Sequence, residues 1–234
     1  MSTPSTPPPG PAGPRIRSVN TARAKAVGYT STESGLTGID KRPVAGPVRV
    51  TAPPGRGTGG VSGLADDFVG DRRHHGGPDQ AVYAFAREDL DRWETALGRP
   101  LADGCFGENL TTTGIDVSGA LVGERWRIGG SLLEVTCARI PCRTFAGWLD
   151  ERGWVKRFTE DAAPGAYLRV LEPGEVRAGD PVEITHRPDH EVTVAFLFRA
   201  RTTAPELRPR VIAAGGALGS EDLERARVWA KAAG

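Results

Sequence analysis

The segment RWRIGGSLLEVT (residues 125–136) decides the fold prediction. Apolar and polar side chains alternate along residues 125–128 and again along residues 133–136, which is the two-residue period of a β-strand. The Gly-Gly pair between them suits a two-residue turn. The segment is therefore predicted to be a β-hairpin that brings the next residues, 137–143, to one end of a sheet.

The segment CARIPCR (residues 137–143) sets a thiol beside a proline, between two arginines and just past the predicted strand. Such a position fixes Cys142 in space, and the charges of Arg139 and Arg143 favour its thiolate form. A thiolate held in this way suits a soft metal ligand or a nucleophile. A cysteine in an apolar domain is also commonly a small buried hydrophobic residue. This segment alone does not decide whether Cys142 is a metal ligand, a nucleophile or a buried hydrophobic residue.

Short strands separated by turn residues extend the pattern in both directions. They are predicted near residues 16–19, at residues 48–50, at residues 81–85, and as a pair formed by residues 167–171 and 182–184. Repeated short strands are typical of a barrel or a sandwich. The fold class is therefore predicted to be mainly β and barrel-like, with a few helices and a small C-terminal three-helix tail.

Helices are predicted where apolar residues recur every three or four positions. One covers residues 87–97 and ends at Gly98, and residues 145–158 form a short amphipathic helix with a turn. The C-terminal tail is predicted to hold three short helices, the last capped by Ser220. Their ranges are 192–201, where the pattern also fits a strand, 205–214 and 220–232.

Composition divides the chain into three regions. Residues 1–14 contain six prolines and almost no apolar side chains, so they are expected to be a disordered tail. Residues 15–189 are the expected β-barrel domain, and residues 190–234 the expected helical subdomain. The glycine-rich residues 53–63 lack the Gly-Lys-Ser/Thr ending of a P-loop and are predicted to be a flexible loop.

Charge and cysteine content argue against several classes of protein. Lys and Arg number 30 against 29 Asp and Glu, a net charge of +1, so no global field attracts nucleic acid or an anionic membrane. No apolar run approaches the length of about 18 residues that suggests a membrane span. Three cysteines form no disulfide framework and are too few to ligate an ordinary iron–sulfur cluster. With no signal-peptide pattern at the amino terminus, the cytoplasm is the expected compartment.

Three loops carry polar residues suited to ligand binding. Lys41 and Arg42 lie in a turn-rich loop, either as an anion clamp or as ordinary solvated residues. His75 precedes a Gly-Gly turn at the entrance of a strand, where a ligand can approach the backbone closely, although a plain turn uses the same residues. Asn109, next to Glu108, either satisfies buried backbone groups or binds a heterocyclic ligand.

Five motifs follow one another along the chain: TGIDKRPV (37–44), GD (70–71), HGGPDQA (75–81), FGENL (106–110) and RIPC (139–142). Together they resemble the MOSC domain family, named after the C-terminal domain of molybdenum cofactor sulfurase. Within it, the chain is similar to the bacterial branch that reduces N-hydroxylated bases such as 6-N-hydroxylaminopurine and carries a three-helix tail. The resemblance runs from about residue 16 to the C terminus. Ala138 departs from it, since close relatives are expected to have proline there.

The resemblance implies a molybdenum cofactor (molybdopterin) whose metal is bound by Cys142. It also implies that Lys41 and Arg42 bind the cofactor phosphate, and that further residues contact the cofactor or the substrate: Arg72, His75, Asn109 and Arg139. His75 is expected to be catalytic too, as a proton shuttle. Cys105 and Cys137 match no ligand position and are expected to be structural. Recombinant protein can lack the cofactor, and the domain is also associated with pyridoxal phosphate binding.

The function implied by the resemblance is reduction of a small N-hydroxylated compound by removal of its hydroxyl oxygen. The chain has no dinucleotide fingerprint, so its electrons are expected to come from a separate flavin or iron–sulfur reductase. Neither nucleic acid nor a membrane is an expected partner, and the oligomeric state is not predicted.

Two other functions stay open at this level. In the first, the chain is a non-catalytic carrier of the cofactor or of sulfur, with a persulfide on Cys142. In the second, it is a metal-free cysteine hydrolase or transferase with Cys142 as nucleophile, His75 as base and Asn109 as the residue that orients it. A zinc site is disfavoured because no Cys-x-x-Cys or paired-histidine spacing is present.

Overall fold

A computed structural model describes residues 13–30, 32–55, 62–71 and 73–232. Most of the predicted tail, part of the glycine-rich loop and Arg72 lie outside these ranges. The strands are β1 (Arg15–Thr21), β2 (Lys25–Ala26), β3 (Leu36–Thr37), β4 (Arg42–Pro43), β5 (Val48–Val50), β6 (Val82–Ala86), β7 (Leu110–Thr113), β8 (Arg125–Ile128), β9 (Ser131–Ala138), β10 (Ala166–Glu172), β11 (Gly174–Val176) and β12 (Val182–His186). The α-helices are α1 (Arg87–Leu97), α2 (Arg143–Leu149), α3 (Trp154–Asp161), α4 (Val194–Arg201) and α5 (Ser220–Ala232), and 3-10 helices cover Pro78–Gln80 and Pro205–Ala217.

One eight-stranded sheet forms the centre of the fold, in the order β12-β8-β9-β10-β6-β7-β1-β4. The predicted hairpin is confirmed as β8 and β9, in which the whole of β8 pairs antiparallel with residues 131–134 of β9. The predicted pairing of residues 167–171 with residues 182–184 is wrong, because β10 lies between β9 and β6 while β12 pairs with β8. Alternating side chains identify a strand and its buried face, but they do not identify its neighbour.

The sheet curls until its two ends meet, without a continuous ladder between them. The Ile16 N–H donates to the Asp180 carbonyl at 2.9 Å, and the Gly179 N–H donates to the Ile16 carbonyl at 2.8 Å. The Val182 N–H donates to the Pro14 carbonyl at 2.9 Å. The fold is therefore mainly β, as predicted, and its barrel is not fully closed.

An aromatic cluster fixes the two helices that follow the cysteine segment. The Phe145 ring on α2 lies 5.2 Å from Phe106 and 5.2 Å from Trp154 on α3, measured between ring centroids. The segment predicted as one helix with a turn, residues 145–158, is therefore two helices, separated where Asp150 and Gly153 adopt left-handed backbone angles. Packing on both sides of the break holds α2 in place directly after Cys142.

The C-terminal helices pack on the same hydrophobic core as the sheet. The second of the three predicted helices is a 3-10 helix, because Pro209 removes a backbone donor within it and Gly215 leaves helical geometry. The third is confirmed as α5, but the Ser220 hydroxyl donates to Asp79 Oδ2 at 2.9 Å instead of capping the helix. Among the described residues, no helix is both long and apolar enough to cross a membrane.

Candidate functional site

A cavity of about 670 Å³, including its open mouth, lies beside the cysteine segment. Loops before β4, β6 and β7 and the loop between β9 and α2 supply its polar side chains. It brings together five of the seven residues predicted for the site: Lys41, His75, Asn109, Arg139 and Cys142. Arg42 does not line it; its exposed side chain pairs with Asp40 at 2.7 Å. Arg72 lies outside the described residues.

Cys142 is the half-buried residue immediately before α2, with extended backbone angles. Burial opposes ionisation of its thiol, but a hydrogen bond with His75 and the charge of Arg139 outweigh burial and lower the pKa to about 6. Cys142 is therefore mostly thiolate at neutral pH. Arg143, the other arginine of the segment, is exposed and lies outside the cavity lining.

Arg139 is a buried cation, 6% exposed, on the wall of the cavity. Its guanidinium lies over the rings of Phe145 at 4.3 Å and Tyr83 at 4.9 Å. No carboxylate among the described residues forms an ion pair with it, and its buried Nε has no hydrogen-bond partner. The anion that Arg139 attracts within the protein is the Cys142 thiolate, and a buried cation of this kind also suits a negative group of a ligand.

Lys41, in contrast, is paired within the protein. Its ammonium forms a buried ion pair with Asp67 Oδ1, and burial lowers the pKa of Lys41 despite this partner. Asp67 Oδ2 in turn accepts from Asn109 Nδ2 at 2.8 Å. Asn109 Oδ1 accepts from the Tyr83 N–H at 3.1 Å, so both ends of this amide serve the protein's own structure.

Glu108 is fully buried beside this network. Its carboxylate accepts from the Gly104 N–H at 2.6 Å, the Phe106 N–H at 3.0 Å and the Thr111 hydroxyl at 2.9 Å. Burial nevertheless raises its pKa to about 7. The Glu108-Asn109 pair thus supports the backbone of the cavity wall.

The other two thiols have the opposite electrostatics. Burial raises the pKa of Cys137 to about 12 and that of Cys105 well above its usual range. Neither residue lines the cavity. Their thiols are therefore unreactive at neutral pH.

Among the lining residues that sequence reasoning did not single out are Asp67 and Gln80. Asp67 had no local signal, because its partners Lys41 and Asn109 are distant in the chain. Gln80 had a local signal, since it belongs to the HGGPDQA motif. The motif does not reveal, however, that the amide oxygen of Gln80 is buried.

Comparison with known proteins identifies the family of the chain. A family model for the MOSC domain matches residues 71–183. The protein YflK of Bacillus subtilis is 30% identical to the chain, and the match covers 79% of each protein. The chain belongs to the MOSC domain family. The crystal structure of YiiM from Geobacillus stearothermophilus superimposes on this MOSC protein with a TM-score of 0.71 and 25% identity, over 92% of this chain and 98% of that one. A protein of Gibberella moniliformis named "Reductase" is 29% identical over 57% of this chain, which spans only 25% of that protein.

The cavity residues fit the molybdenum cofactor with which MOSC domains are associated. Cys142 offers a soft thiolate of the kind that suits such a metal. Arg139 offers a buried cation for a phosphate or for sulfur ligands. The Gln80 Oε1 atom is a buried acceptor without a partner, suited to the N–H groups of a pterin.

Proposed function

We propose that this MOSC protein is a molybdenum-cofactor-dependent reductase that removes the N-hydroxyl oxygen from N-hydroxylated bases or related compounds. The observation that supports it best is that a low-pKa thiol, Cys142, and the buried cation Arg139 lie on one cavity wall. A structural cysteine has no need of such surroundings, whereas a metal ligand does.

The reaction converts R–NH–OH, two electrons and two protons into R–NH2 and water. The bound cofactor would supply a metal centre that exchanges electrons in pairs and accepts oxygen. Cys142 would bind that metal, and Arg139 would keep the thiol ionised while also facing the negative charge of the cofactor. His75 beside the thiolate would hold a proton and deliver it to the leaving oxygen.

Lys41 is the remaining lining cation for the cofactor phosphate. Its ion pair with Asp67 fixes its position and leaves its other N–H donors for a ligand. Arg42, exposed and paired with Asp40, would take part only if the bound cofactor extended to the cavity rim. The electrons would come from a separate flavin or iron–sulfur reductase in the cytoplasm.

Expression in cells that make the cofactor, and in matched cells that do not, tests this function. Purified protein is assayed with N-hydroxylated purines, pyrimidines and amidoximes and an artificial electron donor, and its molybdenum is measured by elemental analysis. Cys142→Ala should abolish both molybdenum binding and activity. Cys105→Ala, which removes a high-pKa thiol outside the cavity, should retain both. Stoichiometric molybdenum in Cys142→Ala would contradict the proposal.

A sulfur carrier is the second candidate, favoured by the same low thiol pKa. Mass spectrometry showing a labile added sulfur on Cys142, in protein without metal, would support it. The hydrolase alternative receives less support, because Asn109 is held by Tyr83 and Asp67 and is not free to orient His75.

A further inference from the structure

Gln80 carries a polar atom that the protein itself does not satisfy. It lies at the end of the 3-10 turn Pro78–Gln80, and its side chain lines the cavity. The amide oxygen Oε1 is buried and has no hydrogen-bond partner. Buried acceptors are normally paired, and an unpaired one costs folding free energy. A group that enters the cavity is therefore the expected donor.

The position of this atom among the unsatisfied buried atoms is informative. Ten side-chain atoms of the described residues are buried without a hydrogen-bond partner, and only two of them belong to cavity-lining residues: Gln80 Oε1 and Arg139 Nε. One is an acceptor and the other a donor. A ligand that satisfies both must present an N–H group together with an acceptor or an anion, as the edge of a purine, pyrimidine or pterin does.

Aromatic side chains form an apolar part of the cavity wall. Tyr83 and Tyr167 both line it, with their ring centroids 5.0 Å apart and their planes tilted by 36°, and Arg139 lies over the Tyr83 ring. Binding sites for planar heterocycles commonly combine such an apolar wall with a few polar groups that read the edge of the ligand.

The backbone next to Gln80 is held from three sides through Asp79. The Asp79 carbonyl accepts from the Thr136 hydroxyl on β9 at 2.6 Å. Its Oδ1 pairs with Arg169 on β10 at 3.2 Å, and its Oδ2 accepts from the Ser220 N–H on α5 at 2.8 Å. Asp79 is therefore a positioning residue that fixes the backbone directly before Gln80.

We infer that Gln80 determines ligand specificity in this cavity, by accepting a hydrogen bond through Oε1 from an N–H group of a bound nitrogen heterocycle. This role rests on the proposed function in one respect only, namely which molecule supplies the heterocycle. Both the base of an N-hydroxylated substrate and the pterin of the cofactor carry such N–H groups, and the experiment below distinguishes them.

Calorimetry with two probes is the first arm of the experiment and tests whether Gln80 recognises the N–H groups of a base. The probes are adenine and its fully N-methylated analogue, which lacks every N–H. The unmodified protein should bind adenine more tightly than the analogue. Gln80→Met, which keeps the length of the side chain but loses the amide, should reduce that preference about tenfold or more. Gln80→Glu keeps an acceptor and should retain the preference.

Thr112→Val is the matched control, because Thr112 Oγ1 is another unsatisfied buried atom but lies outside the cavity lining. It should leave the preference unchanged. Thermal melting of each variant separates loss of binding from loss of folding.

Pterin and molybdenum content, measured after purification from cofactor-making cells, is the second arm. A lower content in Gln80→Met with an unchanged adenine preference assigns the N–H donor to the pterin. If neither the preference nor the cofactor content changes, the role is overturned. If Gln80 controls adenine binding but the protein reduces no N-hydroxylated compound, the proposed reductase function fails while this inference stands.

Discussion

Lys41 and Asp67, 26 residues apart in the chain, form an ion pair in which the side chains are 7% and 0% exposed. The pair lies on the cavity wall, and Asp67 also accepts from the Ala22 N–H at 2.9 Å and from Asn109. These contacts join four separate loops around the candidate site. Lys41 pairs with Asp67, whereas its neighbour Arg42 pairs with Asp40 outside the cavity lining. The sequence, in contrast, predicts that Lys41 and Arg42 bind one anion together.

Removing one partner of this pair should destabilise the fold strongly. Lys41→Met leaves the Asp67 carboxylate buried without its cation, which costs about 3–5 kcal/mol in comparable sites. Urea unfolding measures the loss. Lys25→Met is the control, because the Lys25–Asp40 pair is exposed and contributes about 1 kcal/mol or less. Equal losses in the two variants would contradict the structural role of Lys41.

The reactivity of Cys142 should follow its lowered pKa. In cofactor-free protein, alkylation by iodoacetamide should be half-maximal near pH 6, decline below it as the thiolate is protonated, and level off above it. Arg139→Leu removes the buried charge and should move the midpoint to higher pH. Arg143→Leu removes an exposed charge and should leave the midpoint in place. Peptide mass spectrometry assigns the label, and a label on Cys105 or Cys137 at pH 7 would contradict the assignment.

Glu108 should make stability depend on pH. Its pKa in the folded protein is about 7, above the value of 4.5 expected when unfolded, so the folded state binds more protons between these limits. Its contribution to the free energy of unfolding should therefore decrease by about 3 kcal/mol as the pH rises from about 4.5 to about 7. Glu108→Gln should remove that decrease while losing some stability at low pH. Urea titrations at several pH values compare the two proteins, and parallel pH profiles would contradict the assignment.

Asp79 should couple the C-terminal helix to the cavity. Asp79→Ala removes the acceptor for the first N–H of α5 and the partner of Arg169, so a loss of about 1–2 kcal/mol is expected. Hydrogen exchange should accelerate in α5 and around Gln80 together. Asp116→Ala, which removes only an exposed bond to the Gly119 N–H, is the control. Faster exchange in α5 alone would show that the helix is not coupled to the cavity wall.

Much of the site could be predicted because its chemistry is local in the chain. The order Arg139, Pro141, Cys142 already sets a thiol near a cation and past a strand end, and the structure places Cys142 and Arg139 on the cavity wall. The motif order indicated the family, which the comparisons establish. The roles of Lys41 and Asn109 could not be read in the same way, because each depends on Asp67, which no local pattern marks.

The sequence by itself determined the hairpin of β8 and β9, helix α1 with its end at Gly98, and the thiol of Cys142 at the start of α2. These features depend on side-chain period, turn chemistry and short-range spacing, all of which act within a few residues. Only the tertiary structure decided that β10 pairs with β9 and β6, that Lys41 is neutralised by Asp67, and that Arg139 and Gln80 keep unsatisfied atoms on one cavity. Strand pairing and burial depend on which distant segments exclude water from each other, and no local stretch of the chain encodes that.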